Sequence, residues 1–245
     1  MSASAEETRT RDGQDVSAVH ERLRAAILDG EIVAGATASR TALAREFGAG
    51  RTPLREALRM LEREGLVTSE PNRGVRIAAL SSQDAEGLYI TRIALETIAI
   101  RLTVPVLVSD DFARLEGYMA QMDHYTKAGD PQGMRTPHRA FHHLLVAGAG
   151  TRVSTDIATL FDHSERYRRR FGATGVWEER RAEHRAIIDA AAAGDVELAA
   201  RGIAAHYAHT ARLVFQGLDP EHDLARLRTT IRTVAPGAEA ALEPG

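Results

Sequence analysis

Between Arg51 and Arg63, arginines recur every fourth residue, at 51, 55, 59 and 63, beside an apolar series of Leu54, Ala57, Leu58 and Leu61. Both series fit one conformation only. On a helix, positions i, i+3, i+4 and i+7 share a face, and positions four apart share an edge. The face must be buried, and the guanidinium edge must stay in water. Upstream, Thr41 to Phe47 predicts a short helix with Leu43, Ala44 and Phe47 apolar, and Gly48-Ala49-Gly50 breaks it from the second helix, Arg51 to about Glu64. Gly65 suits the left-handed residue that follows a helix. Leu66 to Ser69 and Gly74 to Ala78 predict two short strands around the turn Glu70-Pro71-Asn72-Arg73-Gly74.

Helix, turn, arginine-lined helix and β-hairpin make a winged helix-turn-helix. Its second helix fits a DNA major groove, where an arginine fork matches the O6 and N7 of guanine. The hairpin places Arg73 against the minor groove or a phosphate, and Gly74 allows close backbone approach. The alternative is a solvated arginine face paired with Glu56, Glu62 and Glu64. Two helices, their spacing and a wing together favour DNA binding.

These residues carry a resemblance. Leu43-Ala44, Phe47-Gly48, Arg51 to Arg59, Leu61-Glu62, Glu64-Gly65-Leu66-Val67 and Arg73-Gly74-Val75 resemble the DNA-binding domain of the GntR family of bacterial transcription regulators, over about residues 16 to 80. The resemblance implies that Arg51 and Arg55 read bases and contact phosphate, and that Gly74 is the wing-tip glycine. Some members have an arginine at the position of Thr41, and here Arg40 is its neighbour. The expected DNA-contacting set is Arg40, Thr41, Arg51, Thr52, Arg55, Arg59, Arg73 and Gly74. One departure stands out: the family usually has Val-Ser before the first arginine, and this chain has Ala49-Gly50, which leaves a weaker glycine cap.

A chain of 245 residues suffices for two domains. Net charge is −3, yet Arg40 to Arg76 holds eight Arg against five Glu. The basic character is therefore local, as suits docking of one face on DNA. The absence of Cys excludes disulfides and thiolate metal sites. No apolar run approaches a membrane span, and the polar N-terminus has no signal-peptide core, so a cytoplasmic protein is expected. The expected domains are a disordered N-terminus (1–14), the winged helix-turn-helix (15–80), a helical ligand-binding and dimerisation domain (81–234) and a disordered tail (235–245). After position 80 the reading is all helix: a mainly α chain ending in an antiparallel bundle. Asp15 or Ser17 caps a first helix reaching Leu28. Ser82 caps a helix to Val104, whose apolar positions, including Ile98 and Leu102, predict that it is largely buried. Ser109 caps the next. Thr136-Pro137 opens another as cap and first residue, running to Ala147. Further helices cover Arg152 to Phe171, Trp177 to Ala193 and Val196 to Gln216, and Asp219-Pro220 opens a short last one.

His138 and His142 are four apart and share a helix face. His184 and His206 each lie roughly 11 residues from the Gly194-Asp195 turn, about 16 Å along their helices, so a helical hairpin brings them level. A third helix bearing His138 and His142 completes a four-nitrogen cage suited to Zn, Ni, Fe or Mn. The alternative is unrelated polar histidines among ten, and His209 can take the place of His206.

Residues 82 to 217 resemble the FCD ligand-binding domain of the FadR-type branch of the GntR family, through Arg92 to Glu96, Phe141-His142, Glu183 to Ile187, Ala193-Gly194-Asp195 and His206. Many members hold a divalent metal with an Asp and three His. His142, His184 and His206 match the histidines, and His138 stands at the Asp. The resemblance also implies that Arg92 faces the cavity and meets a ligand carboxylate, where the residues alone allow an i, i+4 pair with Glu96 on a wet face. The expected protein is a homodimeric regulator, in most such cases a repressor, that binds palindromic double-stranded operator DNA under control of a small carboxylate effector. Alternatives are a metal sensor, with the ion as effector, and a metalloenzyme, against which no motif supplies a general base.

Overall fold

The computed structural model describes residues 15–70, 74–172 and 177–243. The chain divides into two units, Met1–Leu80 and Ser81–Gly245.

In the first unit Asp15 caps α1 (Val16–Asp29), Ser39 caps α2 (Arg40–Glu46), and α3 (Arg51–Arg63) begins at Gly50 without a side-chain cap. The apolar faces converge on one core, in which Leu23 and Ile27 of α1, Leu43 of α2 and Leu54, Leu58 and Leu61 of α3 meet Leu66, Val75 and Ile77. The hairpin is β2 (Val67–Glu70) and β3 (Gly74–Ile77), with Ser69 opposite Val75. A third strand, β1 (Thr37–Ala38), lies in a stretch that reads as loop, and pairs antiparallel with the other edge of β3, Ala38 opposite Val75. Two residues are too few for a periodic signal. Two of the three carboxylates available to the arginine row are used elsewhere. Glu62 accepts from the Ser69 amide at 2.8 Å, and Glu64 meets His20 at 2.5 Å and Arg24 at 2.7 Å.

The second unit is helical: α4 (Ser82–Thr103, capped by Ser81), α5 (Ser109–Lys127), α6 (Arg135–Leu144), α7 (Thr151–Phe171), α8 (Trp177–Ala192), α9 (Val196–Leu218, capped by Asp195) and α10 (Ala225–Val234), with one-turn 3-10 segments between and after them. Helix α4 lies across α7, α9 and α10. Several boundaries differ from expectation. Asp130 accepts from the amides of Gln132 and Gly133, which winds the chain early, so α6 starts at Arg135 and Pro137 sits in its first turn. It also ends at Leu144, short of Ala147. Asp219 ends α9 rather than opening the last helix. Residues 235–243 of the tail are ordered where disorder was expected: Ala235, Ala238 and Leu242 are buried, and the 3-10 turn Ala238–Leu242 packs on α9. Its small residues hide an apolar face that composition does not advertise. As expected, α4 is largely buried, with Leu88, Ile93 and Ile100 inside, but Ile98 and Leu102 are 52% and 53% exposed while the polar Glu86, Arg92 and Glu96 are buried. The expected disorder of residues 1–14 lies outside the described residues. Among the described residues no helix is long and apolar enough to cross a membrane.

Gly74 has a stated reason to be glycine. Its φ is +101°, and a Cβ there would sit 2.2 Å from the carbonyl oxygen of Ala38. The β1–β3 pairing itself therefore requires a bare backbone at this position. Gly74→Ala is expected to destabilise the winged unit by roughly 2 kcal/mol or more, from left-handed strain plus a backbone clash. Chemical denaturation followed by circular dichroism checks this, and a change under half that size contradicts it.

Candidate functional site

Helix α3 turns Leu54, Ala57, Leu58 and Leu61 inward, which leaves Arg51, Thr52, Arg55 and Arg59 exposed on its far side. Arg55 Nε donates to Glu56 Oε1 at 3.3 Å and Arg59 Nη1 to the same oxygen at 3.1 Å, with arginine side chains 59% and 62% exposed. Such exposed pairs are weak, about 0–1 kcal/mol each. Arg51 has no carboxylate partner among the described residues. Arg40 and Thr41 open α2 and are also exposed. Arg73 lies outside the described residues.

The second unit gathers the four histidines. His138 and His142 on α6, His184 on α8 and His206 on α9 each present a ring nitrogen, and the four atoms lie within 4.8 Å of one another. His142 Nε2 and His184 Nε2 are 3.3 Å apart. The ring centroids of His184 and His206 are 4.7 Å apart, as expected for equidistant positions in the α8–α9 hairpin. His209 stays outside the cage and its Nδ1 meets Glu183 at 2.5 Å. The other Glu183 oxygen meets His206 Nδ1 at 2.7 Å. His142 is fixed in the same manner, with Nδ1 3.0 Å from the Tyr207 hydroxyl, which donates to Glu96 Oε2 at 2.5 Å. Both rings thus have their Nδ1 engaged and their Nε2 left for the cage, the usual way a protein orients histidine ligands. His138 Nδ1 and His184 Nδ1 are buried without partners.

Burial holds all four imidazoles below their ordinary value of 6.5. His138 is pushed down to about 3 by burial, aided by Arg168, Arg180 and Arg92 against the pull of Glu165. For His142 and His184, burial is reinforced by the neighbouring imidazoles. The cage is therefore neutral at neutral pH, the form in which imidazole ligates.

Arg92 is buried, 3% exposed, so the pair it makes with Glu96 is interior and not on a wet face. Its Nε donates to Glu96 Oε1 at 2.7 Å and its Nη1 to Ser164 Oγ at 2.6 Å, while Nη2 has no partner. Its guanidinium stacks 4.2 Å from the Tyr207 ring centroid. Burial alone would lower its proton affinity, and Glu96 reverses this and raises it. Glu96, Ser164, Arg180, Glu183 and Tyr207 were not singled out as site residues in the sequence. Faint signals exist: Glu96 and Glu183 flank named site residues, Tyr207 follows His206, and Arg180 precedes His184 by one helical turn.

The sequence matches two family models: "Bacterial regulatory proteins, gntR family" over residues 16–77 and "FCD domain" over residues 87–209. The HTH-type transcriptional regulator YdhC of Bacillus subtilis is 28% identical, over 78% of this chain and 86% of that protein. The HTH-type transcriptional repressor GlaR of Escherichia coli is also 28% identical, over 67% of this chain and 79% of that protein. Among solved structures, McbR/YncC of E. coli superposes with a TM-score of 0.72 at 20% identity, covering 82% of this chain and 97% of that one, which shows a shared fold. The arginine-faced winged helix and the histidine-bearing bundle thus belong together: this chain is a member of the GntR family of bacterial transcription regulators, in the branch with an FCD domain, and is a DNA-binding regulator rather than an enzyme.

Proposed function

We propose that the chain acts as a homodimeric, cytoplasmic repressor whose affinity for a palindromic operator is set by a small carboxylate bound beside a divalent metal in the second unit. The observation that carries this reading is the neutral four-imidazole cage with the unpartnered Nη2 of buried Arg92 beside it. A buried donor without an acceptor is rare in a finished structure and points to a ligand. The donor set fits a transition ion: nitrogens only, unprotonated and close together, two of them oriented by outer hydrogen bonds. His138, His142, His184 and His206 would hold Zn, Ni, Fe or Mn, and such an ion, when bound, supplies a Lewis-acid contact for a carboxylate oxygen. Arg92 would take another oxygen through Nη2. The repressor sense follows the name of the E. coli relative.

A series of hydrogen bonds from the site to the start of the second unit supports ligand control. Helix α7 carries Ser164, which holds Arg92, and also Tyr167, whose hydroxyl donates to Asp84 Oδ2 at 2.5 Å and accepts from the Ser81 amide at 3.2 Å. Ser81 is the first residue of the second unit. A coupling of roughly 1–3 kcal/mol suffices for a switch. The dimer reading rests on the exposed apolar series Ile98, Leu102 and Val106, which a second copy would cover.

A second reading is favoured by the count of imidazoles. Four neutral ligands can close a tetrahedral site and leave no open position, so that the ion alone is the effector. Operator affinity that responds to zinc without any organic acid selects this reading.

Arg55→Ala is expected to weaken operator binding by about 1–3 kcal/mol, tenfold or more, with the oligomer intact. Fluorescence anisotropy measures it, and unchanged affinity removes α3 from the groove. Ile98→Glu with Leu102→Glu is expected to convert dimers to monomers in sedimentation velocity and to lower operator affinity; a persistent dimer refutes the α4 face. His184→Ala is expected to reduce zinc from about one per chain to near none by elemental mass spectrometry. For the metal-free protein the sign of the pH effect is set by the depressed imidazoles. Below an unfolded value of 6.5 the unfolded chain binds more protons, so stability is full above that value and falls as pH drops through it. Thermal unfolding should shift down between about pH 7.5 and pH 5.5, less so in His184→Ala, and an equal shift in both contradicts the cage protonation argument.

A further inference from the structure

Arg180 is a second buried cation with an open donor. It lies one turn before His184 on α8 and is 8% exposed. Its Nη1 donates to the hydroxyl of Thr210, one turn after His206 on α9, and its Nε has no partner. Among the described residues no carboxylate touches it. Glu183, whose charge acts on it, has both oxygens engaged by His206 and His209. Two neighbouring arginines are answered at contact: buried Arg92 by Glu96 at 2.7 Å and half-buried Arg168 by Glu165 at 2.6 Å. Tyr89, fully buried on α4, adds a third unpartnered donor, its hydroxyl. Burial pushes that phenol up to about 12, while Arg92 and Arg180 pull it down, so all three groups share one electrostatic environment.

The open donors flank the cage. Arg92 lies over the Tyr207 and Phe161 rings on the His142 side, and Arg180 lies on the His184 and His206 side. The charge count points the same way. The cage contributes none, a divalent ion would add two, and Arg180 adds one against Glu183. A ligand of one negative charge leaves this interior positive, and a ligand of two brings it to neutrality, which a buried site demands.

Building on the effector reading above, we propose that the ligand of this site is a dicarboxylate, anchored at one side by Arg92 and at the other by Arg180, with Arg180 as the residue that selects two acid groups over one. Arginine forks suit this role because each matches a carboxylate in geometry as well as charge.

The test is isothermal titration of the zinc-loaded full chain with malonate, succinate and glutarate against butyrate, which lacks the second acid group, and against inorganic phosphate. At least one dicarboxylate is expected to bind tenfold or more tightly than butyrate. Arg180→Met should erase that ratio while butyrate affinity changes less than about twofold, and zinc content should stay at the wild-type level, which reports an intact cage. Arg180→Lys, which keeps the charge without the fork, should restore part of the preference. Equal binding of dicarboxylates and butyrate in the wild type overturns this inference and leaves the carboxylate-effector reading standing. So does equal loss of both ligand types in Arg180→Met, since Arg180 then only supports the fold of the site. Phosphate binding tighter than every dicarboxylate replaces the ligand class. Absence of any acid binding to zinc-loaded protein overturns the effector reading and this inference together.

Discussion

A charge buried among helices has to be answered at contact distance, and the second unit is organised by that requirement. Arg92 sits at its centre. Its guanidinium binds Glu96 on its own helix, Ser164 on α7 and the ring face of Tyr207 on α9. One side chain therefore ties three helices together in fixed registers. The carboxylate it holds passes the constraint on through Tyr207 to the Nδ1 of His142. Removing one partner from such a buried pair costs roughly 3–5 kcal/mol, because the other is left charged and alone. The packing of α4 against α7 and α9 and the tautomer of a cage histidine thus depend on the same four-residue chain.

The first unit uses the same residue types to the opposite end. Its arginines stand in water along α3, and the carboxylate among them, Glu56, is only a loose partner. Exposed pairs are screened and worth little, so a phosphate can replace Glu56 at small cost. The carboxylates that bind firmly, Glu62 and Glu64, reach away from the arginine face to β2 and α1, where they position the helix. The division leaves the presented face net basic in a chain whose total charge is −3.

What could be read in advance is what depends on local spacing. The arginine edge and apolar face of α3 follow from helical period, and the meeting of His184 with His206 follows from equal distance to a Gly-Asp turn. The caps at Asp15 and Asp195 follow from side chains that bond the next amides. What could not be read depends on contacts far apart in the chain. Strand β1 exists because β3 offers it an edge, and Gly74 is required by the carbonyl of Ala38, 36 positions earlier. Ile98 and Leu102 look like core residues until α4 is seen to turn Arg92 and Glu96 inward in their place. The tail looks disordered because alanine and glycine carry no periodic signal, yet Ala238 and Leu242 are buried. At the cage, four histidines were visible in the sequence, but the groups that set their tautomers and charge were not. Glu183 serves two histidines at once, a role that no spacing rule assigns.

The imidazole at position 138 changes how the cage stands before any ligand arrives. Four ring nitrogens within 4.8 Å would repel one another if protonated, and burial prevents this by holding every ring neutral. A carboxylate at position 138 would remain charged beside Arg168, Arg180 and Arg92, and would draw their side chains toward it. With a neutral ring there, Arg92 and Arg168 are answered by Glu96 and Glu165 instead, and Arg180 Nε and Arg92 Nη2 are open. Hydrogen bonds from Glu183 and Tyr207 already orient two of the rings, so little ordering entropy remains to be lost on binding. A preformed site of this kind spends little of the ligand's binding energy on building itself. Under the proposed ligand control, more of that energy is then free to differ between two states of the protein, which is the quantity that sets operator affinity.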